Sequence, residues 1–82
     1  MNLNILKALA DPSRLALMDI LDKGELCVCV LPGIVKKTQS TVSIHLKVLH
    51  EAGLLSMRKD GSKRLYSLST LGKRIVKQVK GW

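Results

Sequence analysis

Two cysteines separated by one valine, Cys27-Val28-Cys29, carry the most distinctive chemistry in this sequence. On an α-helix, positions two apart point about 200° away from one another, whereas on an extended segment they share a face with Cα atoms roughly 6.5 to 7 Å apart. Only a non-helical stretch can chelate. Two thiolates leave a soft ion short of its three or four preferred ligands unless a solvent thiol, a halide or a second subunit helps. The same residues could act as a thiol redox pair, although an i, i+2 disulfide would be strained. They could also be inert, since free cysteine is among the most buried residue types.

A second constellation lies downstream. Between Lys36-Lys37-Thr38 and Gly53 the sequence reads as a helix, and at 100° per residue Thr41, Val42, His45, Leu46, Val48 and Leu49 share one sector. Gln39, Ser40, Ser43, Ile44, Lys47, His50 and Glu51 occupy the other. Short hydroxyl and amide side chains at a helix N-terminus are what a helix entering a major groove offers to base edges. Ile44 either packs on a thymine methyl or is simply an exposed apolar residue, and His45 reads as a packed histidine of the helix face. Beyond this helix, Arg58, Lys59, Lys63 and Arg64 gather around Asp60-Gly61-Ser62, as expected of a hairpin whose tip meets phosphates.

Composition supports a polyanionic partner. The 82 residues carry a formal charge of +8, and the charge is uneven: residues 1–35 hold three basic and four acidic residues, residues 36–82 eleven basic and two acidic. So large an asymmetry within one domain reads as an electrostatic footprint in the second half. Length allows one core only, because two would leave each half under the roughly 40 residues below which a chain needs outside help to fold. With no Phe, one Tyr and one Trp, that core must be aliphatic. It is thin for a monomer, and association would add buried area.

The longest apolar run, Leu26 to Val35, is about half of the 20 residues that span a bilayer, and Pro32 and Gly33 interrupt it. The first residues show no secretory pattern, so the expectation is a cytoplasmic protein without a membrane partner, its cysteines normally reduced. No set of Ser, His and Asp and no phosphate-binding glycine loop suggests an enzyme.

These residues need elements to hold them. Leu3, Leu6 and Ala10 recur at helical spacing up to Asp11-Pro12, and a second helix then starts, with Asp11 as N-cap and Pro12 in the first turn. Leu15, Met18 and Leu21, with Leu17 and Ile20, form its apolar face, which ends near Gly24. Pro32 in the first helical position gives a short helix from about Pro32 to Lys37, entered by an extended Cys27–Val30; a helix starting earlier still fits Pro32 only within its first turn. Strands over 54–59 and 63–68 flank the Asp60-Gly61-Ser62 turn. Ser69 or Thr70 caps a last helix in which Leu71, Ile75 and Val79 recur at i, i+4 and i+8 with Val76 beside them and Trp82 at the end, while Gly72 weakens it. So short a helix needs a surface, either its own domain or a twin subunit.

Helix, helix, short helix, turn, polar-faced helix, basic hairpin, helix is the order of a winged helix-turn-helix: mostly α with a small β-hairpin, one domain over 1–82. Four motifs carry a resemblance: Leu9-Ala10-Asp11-Pro12-Ser13-Arg14-Leu15, Glu25-Leu26-Cys27-Val28-Cys29, the run from Gln39 to Leu49, and Glu51-Ala52-Gly53-Leu54-Leu55. Together they resemble the ArsR/SmtB family of winged-helix repressors, without gaps from about Leu3 to Leu68. The resemblance implies a homodimer whose interface is built by the end helices, about 3–10 and 70–81, through Leu3, Leu6, Leu71, Ile75 and Val79. It also implies double-stranded operator DNA read by Gln39, Ser40, Thr41, Ser43 and Lys47. Relatives with Cys-Val-Cys at the start of the third helix often bind arsenite, antimonite or soft divalent metals there, which lowers DNA affinity; Pro32 stands where such sensors can carry a third cysteine. The alternatives are an assembly or RNA-contact module of the same fold, or a repressor with a thiol-redox or unknown inducer.

Overall fold

The structure, a computed structural model, describes residues 3–80; the side chains of Leu3 and Lys80 and the whole of Trp82 lie outside the described set. Five helices and three strands follow in order: α1 (Leu3–Leu9), α2 (Pro12–Asp22), β1 (Leu26–Cys27), α3 (Leu31–Val35), α4 (Gln39–Glu51), β2 (Leu55–Asp60), β3 (Lys63–Leu68) and α5 (Thr70–Lys80). The expected winged order is met.

Local chemistry sets the boundaries. Asp11 has extended backbone angles and its carboxylate accepts from the amides of Ser13 and Arg14, so α2 starts at Pro12 as expected. Thr38 does the same for α4, its hydroxyl accepting from the Thr41 amide. Ser69 caps α5: its hydroxyl accepts from the Gly72 amide and donates to the Gly53 carbonyl, tying the end of α4 to the start of α5.

Three expectations need correction. The short third helix ends at Val35 rather than Lys37, because Lys36 adopts a left-handed conformation (φ 57°) and the Lys37 amide turns back to the Pro32 carbonyl. The hairpin loop has two residues, not three. Asp60 and Lys63 are the last paired residues, and Gly61, with φ 61°, takes the first loop position, as a tight reverse turn requires. Finally, the hairpin is part of a three-stranded antiparallel sheet, order β1-β3-β2, in which Leu26 faces Tyr66 and Cys27 faces Leu65. Two residues of strand are too few to leave a readable alternation.

The core is aliphatic, as composition demanded. Leu17, Met18 and Leu21 of α2 meet Leu31 of α3, Val42, Leu46 and Leu49 of α4, Leu54, Leu55 and Leu68 around the sheet, Val76 of α5 and Ala8 of α1. Leu15, assigned to the same face of α2, is instead 38% exposed. It lines an apolar cleft of about 140 Å³ with Leu9, Met18, Ile75 and Val79. Leu6, Leu71 and Val79 are likewise exposed, while Val76 turns inward.

Two glycines in helices behave oppositely. A Cβ on Gly72 would collide with the Leu54 carbonyl, which also accepts from the Ser69 amide, so the glycine that weakens α5 as a helix lets it approach the chain leaving α4. A Cβ on Gly33 meets open space. Gly72→Ala should therefore destabilise by about 1–3 kcal/mol through overpacking, whereas Gly33→Ala should stabilise by about 0.4–1 kcal/mol. Urea midpoints of the two variants test this, and a shift of the same sign in both would contradict the packing described.

Candidate nucleic-acid interface and thiol site

The burial of α4 decides what it presents. Val42, Leu46 and Leu49 are fully enclosed, and helical geometry then turns Gln39, Ser40, Ser43, Ile44 and Lys47 outward, all of them exposed. Ile44 is 62% exposed, too much for a core residue. Thr41 is half-buried, and its hydroxyl accepts from that of Thr38, so it belongs to the capping turn more than to the open face. Lys47 pairs loosely with Glu51 at 4.0 Å; an exposed pair of this kind holds a side chain weakly.

His45 is packed, as its sector suggested, and it has a partner that the sequence did not show. The Arg14 guanidinium donates to the carbonyls of Ala8 (2.9 Å) and Lys7 (2.8 Å) and lies 3.3 Å from His45 Nδ1. Arginine has no acceptor to offer, so the imidazole nitrogen must accept. One side chain thereby joins the end of α1 to the middle of α4. His50, further along α4, meets the Tyr66 ring edge-on at 6.2 Å.

The sheet sorts the four basic residues expected at the wing. Lys59 and Arg64 are cross-strand neighbours, Lys63 sits beside the turn opposite Asp60, and all three are exposed. Like charges directly opposite destabilise a ladder, so the Lys59–Arg64 pair favours an anion between them. Arg58 is different. Its guanidinium forms a two-pronged pair with Glu25, Nε to Oε2 at 2.8 Å and Nη2 to Oε1 at 2.7 Å. The geometry assigns Arg58 to anchoring β2 against the chain entering β1, and leaves Lys59, Lys63 and Arg64 as the open cations of the wing.

The cysteines occupy neither a helix nor a fully extended strand. Cys27 ends β1, and the chain then turns, with the Val30 amide donating to the Cys27 carbonyl at 3.2 Å and the Cys29 amide to Cys27 Sγ at 3.3 Å. This turn brings the Cα atoms to 5.2 Å, and the two sulfurs are paired as a disulfide rather than held as separate thiols. The expected extended spacing is corrected accordingly; both side chains still share a side, as chelation or thiol exchange requires. The Val28 amide donates to the Arg64 carbonyl at 2.9 Å, so the turn is tied to the wing. Both cysteines line a groove of about 740 Å³ between α4 and the sheet, with Gln39, Ser43 and Lys47 on one wall and Lys63, Arg64 and Tyr66 on the other. The sequence separated these two constellations; the fold brings them together. No group of three His, Cys, Asp or Glu side chains able to hold a metal exists among the described residues.

Comparison with known proteins agrees with this fold. Residues 11–57 match the family model described as bacterial regulatory protein, arsR family. The arsenical resistance operon repressor of Staphylococcus xylosus is 46% identical over 65 residues, which are 79% of this chain; the chain spans 62% of that protein's length. Among solved structures, HlyU from Vibrio cholerae superposes with a TM-score of 0.85 at 33% identity, covering 94% of this chain and 85% of that one. A homodimeric winged helix-turn-helix DNA-binding domain from Mycobacterium bovis gives 0.86 at 28% identity, covering 94% and 72%.

The Glu25–Arg58 pair has a pH signature. Hydrogen bonding to Arg58 holds the Glu25 carboxyl below its ordinary range, over the opposing push of desolvation. A depressed folded value means that the contribution is present above the unfolded value and is lost as pH falls through the folded one. Arg58→Gln should return the Glu25 midpoint toward that of a free carboxylate in an NMR titration; an unmoved midpoint would remove the pair from the site.

Proposed function

We propose a function that starts from membership: the chain belongs to the arsR family of bacterial regulatory proteins. It acts as a transcriptional repressor that binds double-stranded DNA as a homodimer and is released by a soft metal or metalloid at Cys27 and Cys29. The observation that carries the DNA reading is the exposed face of α4, made by Gln39, Ser40, Ser43, Ile44 and Lys47, of which Gln39, Ser43 and Lys47 share a groove with the wing cations Lys63 and Arg64. Amides and hydroxyls at the helix N-terminus suit base edges, Ile44 suits a thymine methyl, and the wing cations suit flanking phosphates. Thr41 contributes through the capping turn and Arg58 by holding the wing. No helix among the described residues is long and apolar enough to cross a membrane. The reading involves no catalytic step and places the protein in the cytoplasm with its operator.

Dimerisation is supported by the apolar side chains that one protomer leaves uncovered. Leu6, Leu71 and Val79 are exposed and Ile75 is half-buried, all on the terminal helices that the resemblance puts at the interface. Leu3 belongs to the same helix, its side chain outside the described set. A two-fold dimer presents two α4 helices, which calls for two half-sites about one helical turn or a multiple apart.

Inducer binding is supported by the shared side of Cys27 and Cys29 and by the name of the staphylococcal relative, an arsenical resistance repressor. After reduction the two thiols could hold a thiophilic ion, with the turn at Val28–Val30 as hinge. The ladder to β3 and the Arg64 carbonyl would carry a change at the thiols into the wing. The pairing of the two sulfurs favours a second reading, in which oxidation and reduction of the pair is itself the signal.

Two measurements test the proposal. If a dimer neutralises about eight phosphates, the slope of log K against log salt should be near −7. Lys59→Ala with Lys63→Ala should flatten it without changing sequence preference, and an unchanged slope would take the wing out of the interface. Arsenite should lower operator affinity of the reduced dimer about 5- to 150-fold, equivalent to roughly 1–3 kcal/mol of coupling. Cys27→Ser and Cys29→Ser should each abolish that release. Release persisting in both variants would place the inducer elsewhere, and release by oxidant alone would select the redox reading.

A further inference from the structure

The thiol pair is one sulfur short for a trivalent thiophilic ion, and the groove beside it carries the charge that suits an acid. Cys27 and Cys29 offer two sulfurs where a trivalent thiophilic ion takes three, and the described residues contain no third His, Cys, Asp or Glu grouped with them. Both cysteines open onto the groove of about 740 Å³. Its lining includes three cations, Lys47, Lys63 and Arg64, together with the hydrogen-bonding side chains of Ser43, His50 and Tyr66, and no carboxylate. This volume falls within the range of sites that hold a small organic ligand.

We propose that the groove binds a small thiol carrying free carboxylates, whose sulfur supplies the third bond to an arsenite-derived ion held by Cys27 and Cys29. This rests on the reading of the cysteine pair as the inducer site. The chemistry balances without any change in the oxidation state of arsenic. Arsenous acid, As(OH)3, exchanges its As–O bonds for As–S bonds to Cys27, Cys29 and the small thiol, and each thiol proton leaves with a hydroxyl as water. Where Cys27 and Cys29 are paired, two molecules of the same thiol first reduce them, donating two hydrogens and leaving as their own disulfide.

The carboxylates account for the cations. With the thiol's sulfur at the cysteine end, its acidic arms reach Lys47 on α4 or Lys63 and Arg64 on the wing. Gln39, Ser43 and Lys47 form one wall of the groove and also belong to the face offered to DNA. A bound acid therefore sets negative charge where a phosphate would sit, and release follows from occupation of the interface as well as from movement of the turn.

The test compares thiols of equal reach and different charge on the reduced 82-residue chain with sodium arsenite. Mercaptosuccinate carries two carboxylates, 2-mercaptoethanol is neutral and cysteamine is cationic. Native mass spectrometry of the titrated protein reads arsenite affinity and counts bound arsenic and retained thiol. Mercaptosuccinate should raise the apparent affinity about five- to tenfold over 2-mercaptoethanol, a modest gain because exposed ion pairs are individually weak. One molecule should be retained per arsenic, and cysteamine should be the poorest. Lys63→Gln with Arg64→Gln should bring the apparent affinity in mercaptosuccinate down to that in 2-mercaptoethanol. Equal affinity in all three thiols, or arsenic bound with no small thiol retained, would overturn the proposal. Absence of protein-bound arsenic with every thiol would overturn the inducer reading beneath it, a separate outcome.

Discussion

The enclosure of Val42, Leu46 and Leu49 is the constraint on which everything else turns. Once three residues at helical spacing are fixed against α2 and the sheet, the remaining side chains of α4 have no freedom to choose a side. Polar groups, one isoleucine and a lysine are left facing solvent along a single stripe. Neighbouring interactions secure this placement at each end. Thr38 caps the start, Arg14 reaches the middle through His45, and Ser69 binds the carbonyl of Gly53 just past the end. Because Arg14 also holds the last carbonyls of α1, the helix expected to meet a twin subunit and the helix expected to meet DNA share one anchor.

The sheet plays the corresponding part for the thiols. Two residues of β1 pair with β3, and the next amide binds the Arg64 carbonyl. The cysteine turn is thus an extension of the wing, although α3 follows it directly in the chain. Glu25 and Arg58 reinforce the same junction from the other strand. A ligand at the turn, as proposed, would act first on the residues presenting Lys63 and Arg64. The proposed coupling would run through this ladder and the Val28–Arg64 hydrogen bond.

Much of this was legible in the residues themselves. The order of elements, the caps at Asp11 and Ser69, the aliphatic core and the two faces of α4 all follow from periodicity and turn chemistry, which act over a few residues. What was not legible depends on contacts far apart in the chain. Glu25 and Arg58 are 33 residues apart and Arg14 and His45 are 31. Nothing local distinguishes Arg58 from Lys59, so the Glu25 partner of Arg58 is invisible in the sequence. The pairing of β1 was hidden because a two-residue strand has no period. The extended reading of Cys27–Val30 missed the turn for the same reason, and with it the meeting of the cysteines and the basic groove. Gly72 illustrates the converse: its cost to the helix was apparent, but the carbonyl of Leu54 that requires it was not.

The most direct test of the central claim is a backbone NMR titration of the uniformly labelled, reduced protein with a two-fold duplex selected from a random pool. The amides from Gln39 to Lys47 and from Gly61 to Arg64 should shift together with a common affinity, while those of α5 stay in place. Shifts confined to α1 and α5 with a silent α4 would contradict the account, since the enclosed residues of that helix would then be presenting a face that nothing reads.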